Sequence, residues 1–157
     1  MELIELLHTD HVTVCIGPHD SLLAAMERMT KARSGCVFVV QDGKLAGVVT
    51  DGDVRRTLGA GGGIPKLASG DLSVLDAMTA SPVWLPDSAG LVDTFHLFQH
   101  HGVNTLPVLD SQQKYLGYVE FHEVAAALSP ERIYPRPQDE DENVQRHRAR
   151  YEFAAQF

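Results

Sequence analysis

The chain has 157 residues, 44% of them hydrophobic and 22% charged, which is enough for one ordinary globular core. Its formal net charge of −8 argues against a nucleic-acid polymer as partner, because a surface of that sign repels a phosphate backbone. No apolar run approaches the roughly 20 residues that span a bilayer, and Met1–Glu5 has no basic region before a hydrophobic one, so we expect a soluble cytoplasmic protein without membrane contact.

The first half of the chain predicts the order strand, helix, strand, strand, helix. Residues 13–16 favour a short strand, and Asp20-Ser21 is typical of a helix cap. The helix that follows has an apolar face at three-and-four spacing, formed by Leu22, Ala25, Met26 and Met29. Residues 37–40 and 45–49 then predict two strands joined by a hairpin turn at Asp42-Gly43, with a second helix after them.

The same order returns in the second half of the chain. Cys36–Val40 aligns with Thr105–Leu109 at a step of 69 positions, and Gly47 aligns with Gly117 at a step of 70. The additional residue falls in the turn Ser111–Gln113, where insertions are tolerated best. A repeated unit that is too small to bury its own apolar face must pack against its twin. We therefore expect one mixed α and β body, with a ligand cleft between its halves.

The repeats set the expected domain boundaries. The first repeat covers 1–58, a join covers 59–75, the second repeat covers 76–128, and a tail covers 129–157. Gly59–Gly63 and Pro65 predict that the join is flexible, and no Lys-Ser/Thr pair follows the glycines as in a phosphate loop. In the tail, acidic residues are followed at helical distance by arginines, which indicates a short docking helix. A frayed terminus is the alternative.

Three motifs give this repeat a family resemblance. They are Gly47, Thr50 and Asp53 in a Gly-x-x-Thr-x-x-Asp turn, Asp76–Thr79 before Pro82-Val83, and Leu106–Val108 before the second hairpin. The paired unit resembles a tandem of cystathionine-β-synthase-type (CBS) domains, known as a Bateman module. The stretch 50–56 is similar to the regulatory tail of arabinose-5-phosphate isomerases and some sugar nucleotidyltransferases. The resemblance implies an α/β (α+β) fold of two pseudo-symmetric β-α-β-β-α repeats packed sheet to sheet, a homodimer, and no catalytic domain.

The residue types at positions 50–56 indicate what this turn can bind, independently of the family resemblance. A strand ending at Val49 and a helix beginning near Asp53 direct backbone N–H groups and the positive helix end toward one point, which favours phosphate. Thr50 adds a hydroxyl group, and the Asp53 carboxylate is suited to accept both hydroxyl protons of a ribose diol. Alternatively, Thr50 and Asp53 cap the second helix, and capping is compatible with binding.

The resemblance implies which ligand this turn holds. In the family, the matching Thr and Asp contact the phosphate and ribose of an adenosine nucleotide such as AMP or ATP, and the adenine lies against strand starts of the other repeat. The predicted ligand-binding residues are Gly47, Thr50, Asp51, Asp53, Arg55, Val83, Val103 and Asn104. The chain is then a regulatory module that signals to an unidentified protein partner, with no catalytic residue and no other cofactor. The alternative is a ligand-free dimerisation module.

The second repeat departs from the motif at the two positions that matter. Glu120 replaces Thr50, and Glu123 replaces Asp53. Two carboxylates disfavour an anion, so we expect this cleft to be empty or structural. A divalent cation held by Glu120, Glu123 and His122 is an alternative, and a solvated acidic helix start is the favoured interpretation.

Histidines and cysteines could also suggest a metal site. The repeat places His96 and His100 on the polar face of their helix, next to His101, so we expect exposed imidazoles and no metal. Cys15 and Cys36 lie within predicted strands, where buried free thiols are the more frequent case.

Overall fold

The computed structural model describes residues 1–10 and 14–128. Before the join, the elements are a 3₁₀ turn at Leu3–Leu6, β1 at Cys15–Ile16, α1 at Leu22–Ala32, β2 at Cys36–Gln41, β3 at Lys44–Thr50 and α2 at Asp51–Gly59. The later elements are α3 at Gly63–Ser69, α4 at Val74–Ala77, β4 at Thr79–Ala80, β5 at Leu85–Pro86, α5 at Leu91–His101, β6 at Thr105–Leu109, β7 at Tyr115–Glu120 and α6 at Phe121–Ala127. The predicted tail helix lies outside the described residues.

The strands form two sheets with the same internal plan. The first sheet has the order β1-β2-β3-β4 and the second has the order β5-β6-β7. In each sheet the first pair is parallel and the hairpin pair is antiparallel. Asp42 and Gly43 make the first hairpin turn with positive φ angles of 52° and 78°, a geometry that Gly and Asp tolerate. The predicted order of elements and the mixed α and β fold are confirmed.

Each repeat buries one face of its first helix. Leu22, Ala25 and Met29 on α1 are buried as predicted, and they pack against the strands of the first sheet. Phe95 and Phe98 on α5 are buried in the second repeat in the same way. Each of these helices therefore closes the core of its own repeat.

Residues from both sheets form a further cluster between the repeats. Phe38 from β2 lies 5.7 Å from the Tyr115 ring and 6.0 Å from the Tyr118 ring, measured between centroids. Val14 and Leu109 are buried in the same cluster. The two repeats are therefore packed sheet to sheet.

The join between the repeats is ordered, and the prediction of a flexible segment is wrong. It contains α3 and α4, with Pro65 in the first turn of α3, where its missing N–H group is not needed. Leu22 donates its backbone N–H to Leu72, and Val74 donates to Asp20, both at 2.8 Å. These bonds fix the join against the start of α1. No described helix has the length and apolarity needed to cross a bilayer.

Candidate functional site

A cavity of about 510 Å³ lies between the two repeats, beside the first turn of α2. Its polar side is formed by Thr50, Asp53, Arg56 and Thr79. Its less polar wall includes Phe38, Val48, Val83, Val103, Asn104 and Pro107. Residues far apart in the sequence therefore meet in one concave surface, within the size range of small-molecule sites.

Most of the predicted binding residues meet at this cavity. Thr50 and Asp53 line it from the first repeat, and Val83, Val103 and Asn104 line it from the other side. The sheet packing brings these two groups together, because the end of β3 faces the segments that lead into β5 and β6. The residues predicted from the turn chemistry and those implied by the family resemblance therefore lie at one cavity.

Three predicted residues do not line the cavity. Gly47 lies under β4, because an ideal Cβ there would approach the Thr79 carbonyl oxygen to 2.6 Å, so only glycine allows that strand to pair. Asp51 is exposed and donates its backbone N–H to Gly35 at 3.0 Å. Arg55 is exposed on the helix, and its neighbour Arg56 lines the cavity instead.

The position of Arg56 follows from helix spacing. Residues three apart share a helix face, whereas residues two apart do not. Asp53 and Arg56 have the first spacing, and their side chains form an ion pair. This spacing was a signal in the sequence that would have selected Arg56 over Arg55.

Asp53 is the most constrained polar residue of the cavity and is only 4% exposed. Its Oδ2 atom accepts hydrogen bonds from the Thr50 backbone N–H and from the Thr50 hydroxyl, each at 2.8 Å. Its Oδ1 atom accepts from the Arg56 guanidinium and, at 3.3 Å, from the Thr79 hydroxyl. The Asp53 N–H donates to Thr50 Oγ1 at 3.2 Å, which completes a capping box. The capping alternative is therefore realised, with Asp53 still at the cavity wall.

Cys36 is the cysteine that lines the cavity. Burial raises the pKa of its thiol above the ordinary value of 9.0, and the nearby Ser34 hydroxyl opposes that rise only in part. The thiolate is the nucleophilic form of cysteine, so a raised pKa leaves an unreactive thiol at neutral pH. Cys15 and Cys36 are both free and both lie in strands, as predicted; Cys36 is buried as expected, whereas Cys15 is half-buried.

The corresponding part of the second repeat is built differently. Glu123 stands where Asp53 stands in the first repeat, and its Oε2 atom lies 2.7 Å from His8 Nε2. His8 exchanges backbone hydrogen bonds of 2.8 and 3.1 Å with Tyr118, and the two rings stack with centroids 4.8 Å apart. Chain residues that precede β1 therefore close the edge of the second sheet.

His8 is the structural counterpart of Thr79. Thr79 lies opposite Val48 on β3, and His8 lies opposite Tyr118 on β7, the position that corresponds to Val48. The alignment of the two repeats does not reveal this relationship, because the edge residue of the first sheet follows α2, whereas the edge residue of the second sheet precedes β1. A pairing of that kind leaves no local signal in the sequence.

The other candidate metal ligands among the described residues do not form a cluster. His122 Nδ1 lies 3.1 Å from Glu120 Oε2, and the described residues contain no group of three or more His, Cys, Asp or Glu side chains that could hold a metal ion. His100 and His101 are exposed as expected. His96 is half-buried, contrary to the prediction, because its ring packs at the edge of Phe95 with centroids 5.8 Å apart.

The fold and this cavity define a pair of CBS domains. The family model of the CBS domain matches residues 5–60 and 71–130, which together are more than half of the chain. The chain belongs to the CBS-domain family.

One similar curated protein is an enzyme with a further region. Arabinose 5-phosphate isomerase KdsD from Yersinia pestis is 26% identical over 128 residues, which are 81% of this chain. The matched part is only 37% of that relative's length. The predicted resemblance is confirmed for the region shared with the isomerase.

Solved structures of similar size match over most of their length. A structure of CBSX2 in complex with AMP is 25% identical, with a TM-score of 0.68, and the match covers 80% of this chain and 95% of that chain. A structure of the CBS-pair protein CBSX2 from Arabidopsis thaliana is 27% identical, with a TM-score of 0.67, and the match covers 80% and 92% of the two chains. The predicted tandem arrangement is thus found in similar proteins.

Proposed function

We propose that the chain is a regulatory module that binds an adenosine nucleotide in the cavity between its repeats and signals occupancy to a protein partner. The observation that carries the proposal is the meeting of Thr50 and Asp53 with Val83, Val103 and Asn104 at one cavity. The AMP complex of CBSX2, which has the same fold, supports an adenosine nucleotide as the ligand class.

The wall of the cavity suits a purine base. Phe38, Val48, Val83 and Val103 offer apolar surface for the two faces of the ring. Asn104 adds an amide that can both donate and accept hydrogen bonds at the base edge. Shape and a few polar groups of this kind give small-molecule sites their specificity.

Ribose can bind at Asp53 only by replacing hydrogen bonds that the carboxylate already accepts. A carboxylate has about four acceptor positions, and in Asp53 they are occupied by the Thr50 N–H, the Thr50 hydroxyl, Arg56 and Thr79. The Thr50 bonds belong to the capping box. A ribose diol would therefore replace the bonds on Oδ1 and leave the helix cap intact.

The second repeat contributes no nucleotide site in this proposal. Tyr118 and His8 present stacked rings, and Glu123 presents a carboxylate, where the first repeat has Val48, Thr79 and Asp53. Glu120 also replaces Thr50, so at these two motif positions an anionic phosphate would meet two carboxylates in the second repeat and only one in the first. We therefore expect one nucleotide per chain, bound by a homodimer in the cytoplasm.

Catalysis is not part of the proposal. Asp53 is committed to four hydrogen bonds, and the Cys36 thiol has a raised pKa, so neither is suited to act as base or nucleophile. The match covers only 37% of the isomerase KdsD, and we propose that this chain corresponds to a regulatory part of such a protein. A ligand-free dimerisation module is the second candidate, favoured by a capping box that is complete without a ligand.

The substitution Asp53→Ala tests the proposal against that second candidate. Losing charge-assisted hydrogen bonds to ribose should weaken AMP binding by about 1.5–3 kcal/mol, which is roughly 10- to 150-fold. Losing the cap should also lower the free energy of unfolding by about 1 kcal/mol. Calorimetric titration and thermal unfolding measure the two effects separately.

Glu123→Ala is the matched control, because it removes the corresponding carboxylate from the second repeat. We expect it to leave AMP affinity within about twofold. Asp53→Asn retains an oxygen that can cap the helix and lacks the charge, so it separates the loss of binding from the loss of stability. If the wild-type protein binds no adenosine nucleotide, the ligand-free alternative stands.

A further inference from the structure

We propose that Arg56 binds the phosphate of the ligand and restricts the site to nucleoside monophosphates. The inference rests on the proposed function and names the ligand more narrowly. Arg56 lines the cavity, and its side chain is 72% exposed although it is anchored to the buried Asp53 carboxylate. A guanidinium that is both fixed at one end and open to solvent is suited to bind an anion.

Two side-chain hydrogen-bond donors from the start of α2, Arg56 and Thr50, lie close to Gly52. An ideal Cβ at Gly52 would lie 3.4 Å from Arg56 Nη1 and 3.6 Å from Thr50 Oγ1. A group seated over Gly52 therefore touches the guanidinium, the hydroxyl and the positive end of the helix together. Gly52 itself does not line the cavity, but Thr50 and Arg56 on either side of this point do, so a phosphate group seated here would lie at the edge of the cavity.

The backbone of this turn leaves one donor for such a group. The N–H groups of Thr50, Asp51 and Asp53 donate to Asp53 Oδ2, the Gly35 carbonyl and Thr50 Oγ1. Among the described hydrogen bonds, none is donated by the Gly52 N–H, which is usual in the first turn of a helix and leaves this donor available to a ligand. A phosphate oxygen over Gly52 would accept from it.

Binding of ribose at Asp53 would release the Arg56 guanidinium, which could then contact the phosphate. The ribose hydroxyls take the positions on Asp53 Oδ1 that Arg56 and Thr79 occupy. Arg56 then turns from the Asp53 carboxylate to a phosphate oxygen of the ligand, so an ion pair with the phosphate replaces the ion pair with Asp53. Adenosine, which lacks phosphate, would displace Arg56 without giving it a new partner.

The charge of the cavity limits how many phosphate groups a bound nucleotide can carry. Among the described residues that line it, Arg56 has the only cationic side chain, and Asp53 already opposes that charge. Asp51, exposed at the first position of α2, adds negative charge beside the same turn. Each further phosphoryl group would bring negative charge without a second cation to meet it. The site should therefore prefer AMP to ADP and ATP.

Calorimetric titration of the full chain with adenosine, AMP, ADP and ATP at one ionic strength tests this preference. The wild-type protein should bind AMP about tenfold or more tightly than adenosine, the value of one charge-assisted hydrogen bond, and more tightly than ATP. In Arg56→Gln the ratio of the AMP affinity to the adenosine affinity should fall toward one. Arg55→Gln is the matched control on the same helix and should keep it.

Gly52→Ala provides a second variant that retains every charged group. Its methyl group fits without a clash, at 3.4 and 3.6 Å from its neighbours, but it occupies the space over the first turn. We expect AMP affinity to fall about tenfold while adenosine affinity changes little. Because alanine is favoured over glycine within a helix, the variant should remain folded.

The outcomes separate the inference from the proposed function. Equal binding of adenosine and AMP by the wild-type protein, tighter binding of ATP than of AMP, or an unchanged AMP preference in Arg56→Gln would overturn the role of Arg56 and leave the nucleotide site in place. Absence of binding by both adenosine and AMP would overturn the proposed function and the inference together.

Discussion

At the scale of a single residue, Asp53 combines a structural role with a place at the wall of the candidate cavity. Its Oδ2 atom holds the start of α2 through Thr50, and its Oδ1 atom faces Arg56 and Thr79 at the cavity. The two oxygens are therefore divided between folding and the candidate ligand. This division explains why the Gly-x-x-Thr-x-x-Asp motif can be interpreted as a cap or as a binding site, with both interpretations compatible with the geometry.

Cys36 can report on occupancy of the cavity. Because burial raises the pKa of the Cys36 thiol, the neutral form persists to higher pH than in an ordinary cysteine, so alkylation should be slow at pH 7.5 and accelerate only above about pH 9. AMP should slow the alkylation of Cys36 further, since Cys36 lines the cavity. Mass spectrometry after timed treatment with iodoacetamide measures the rate at each cysteine.

Cys15 is the internal control for this measurement. Burial also raises the pKa of the Cys15 thiol, but Cys15 does not line the cavity. AMP should leave its rate of alkylation unchanged. If AMP slows both cysteines equally, the protection comes from general stabilisation of the fold, and the ligand is not placed next to Cys36.

At the scale of elements, local patterns in the sequence predict most of the fold. The buried face of α1 and the hairpin at Asp42-Gly43 follow from contacts between residues that are close in sequence, so periodicity and turn chemistry locate them. Pairing of β4 with β3 and of His8 with Tyr118 joins residues that are distant or that share no repeated motif. The helices of the join were missed because glycines and Pro65 obscure their pattern.

The segment that contains His8 has the same place in the second sheet as β4 has in the first. His8→Ala removes the contact with Glu123 and the stack on Tyr118. The His8 and Glu123 side chains are partly exposed, at 38% and 29%, so their polar contact by itself contributes little to stability. With the cross-strand ring contact included, we expect the free energy of unfolding to fall by about 1 kcal/mol, measured by chemical denaturation.

His122→Ala is the control for that substitution. The His122 side chain is 74% exposed and contacts Glu120 at 3.1 Å, so its loss should change stability by less than about 0.5 kcal/mol. Neither variant should alter AMP affinity. An equal effect of both substitutions on stability would mean that His8 does not fix the N-terminal segment to the second sheet.

At the scale of the whole molecule, two copies of one unit have diverged into different roles. The first repeat keeps Thr50 and Asp53 at an open cavity, and the second repeat closes its corresponding edge with His8 and Tyr118. The substitutions Glu120 and Glu123 indicated this divergence in the sequence. The sequence could not indicate which chain segment fills the second position, because that depends on packing between distant residues.

The aromatic residues of α5 are not available for an interface between two chains. Phe95 and Phe98 are both buried within the second repeat, at 6% and 1% exposure. They therefore give no support for association. The prediction of a homodimer rests on the family resemblance and on the prevalence of two-fold symmetric pairs among oligomers.

Sedimentation combined with calorimetry tests assembly and the asymmetry of the repeats together. We predict a particle of twice the 17.2 kDa chain mass at micromolar concentration, with one AMP bound per chain. The reason is that the second repeat places two carboxylates and a His8–Tyr118 stack where the first repeat has the turn that we propose binds phosphate. A titration that saturates at two nucleotides per chain would contradict this, because it would require the second repeat to accept an anion beside Glu120 and Glu123. A monomeric particle that still binds one AMP would remove the dimer and leave the single site intact.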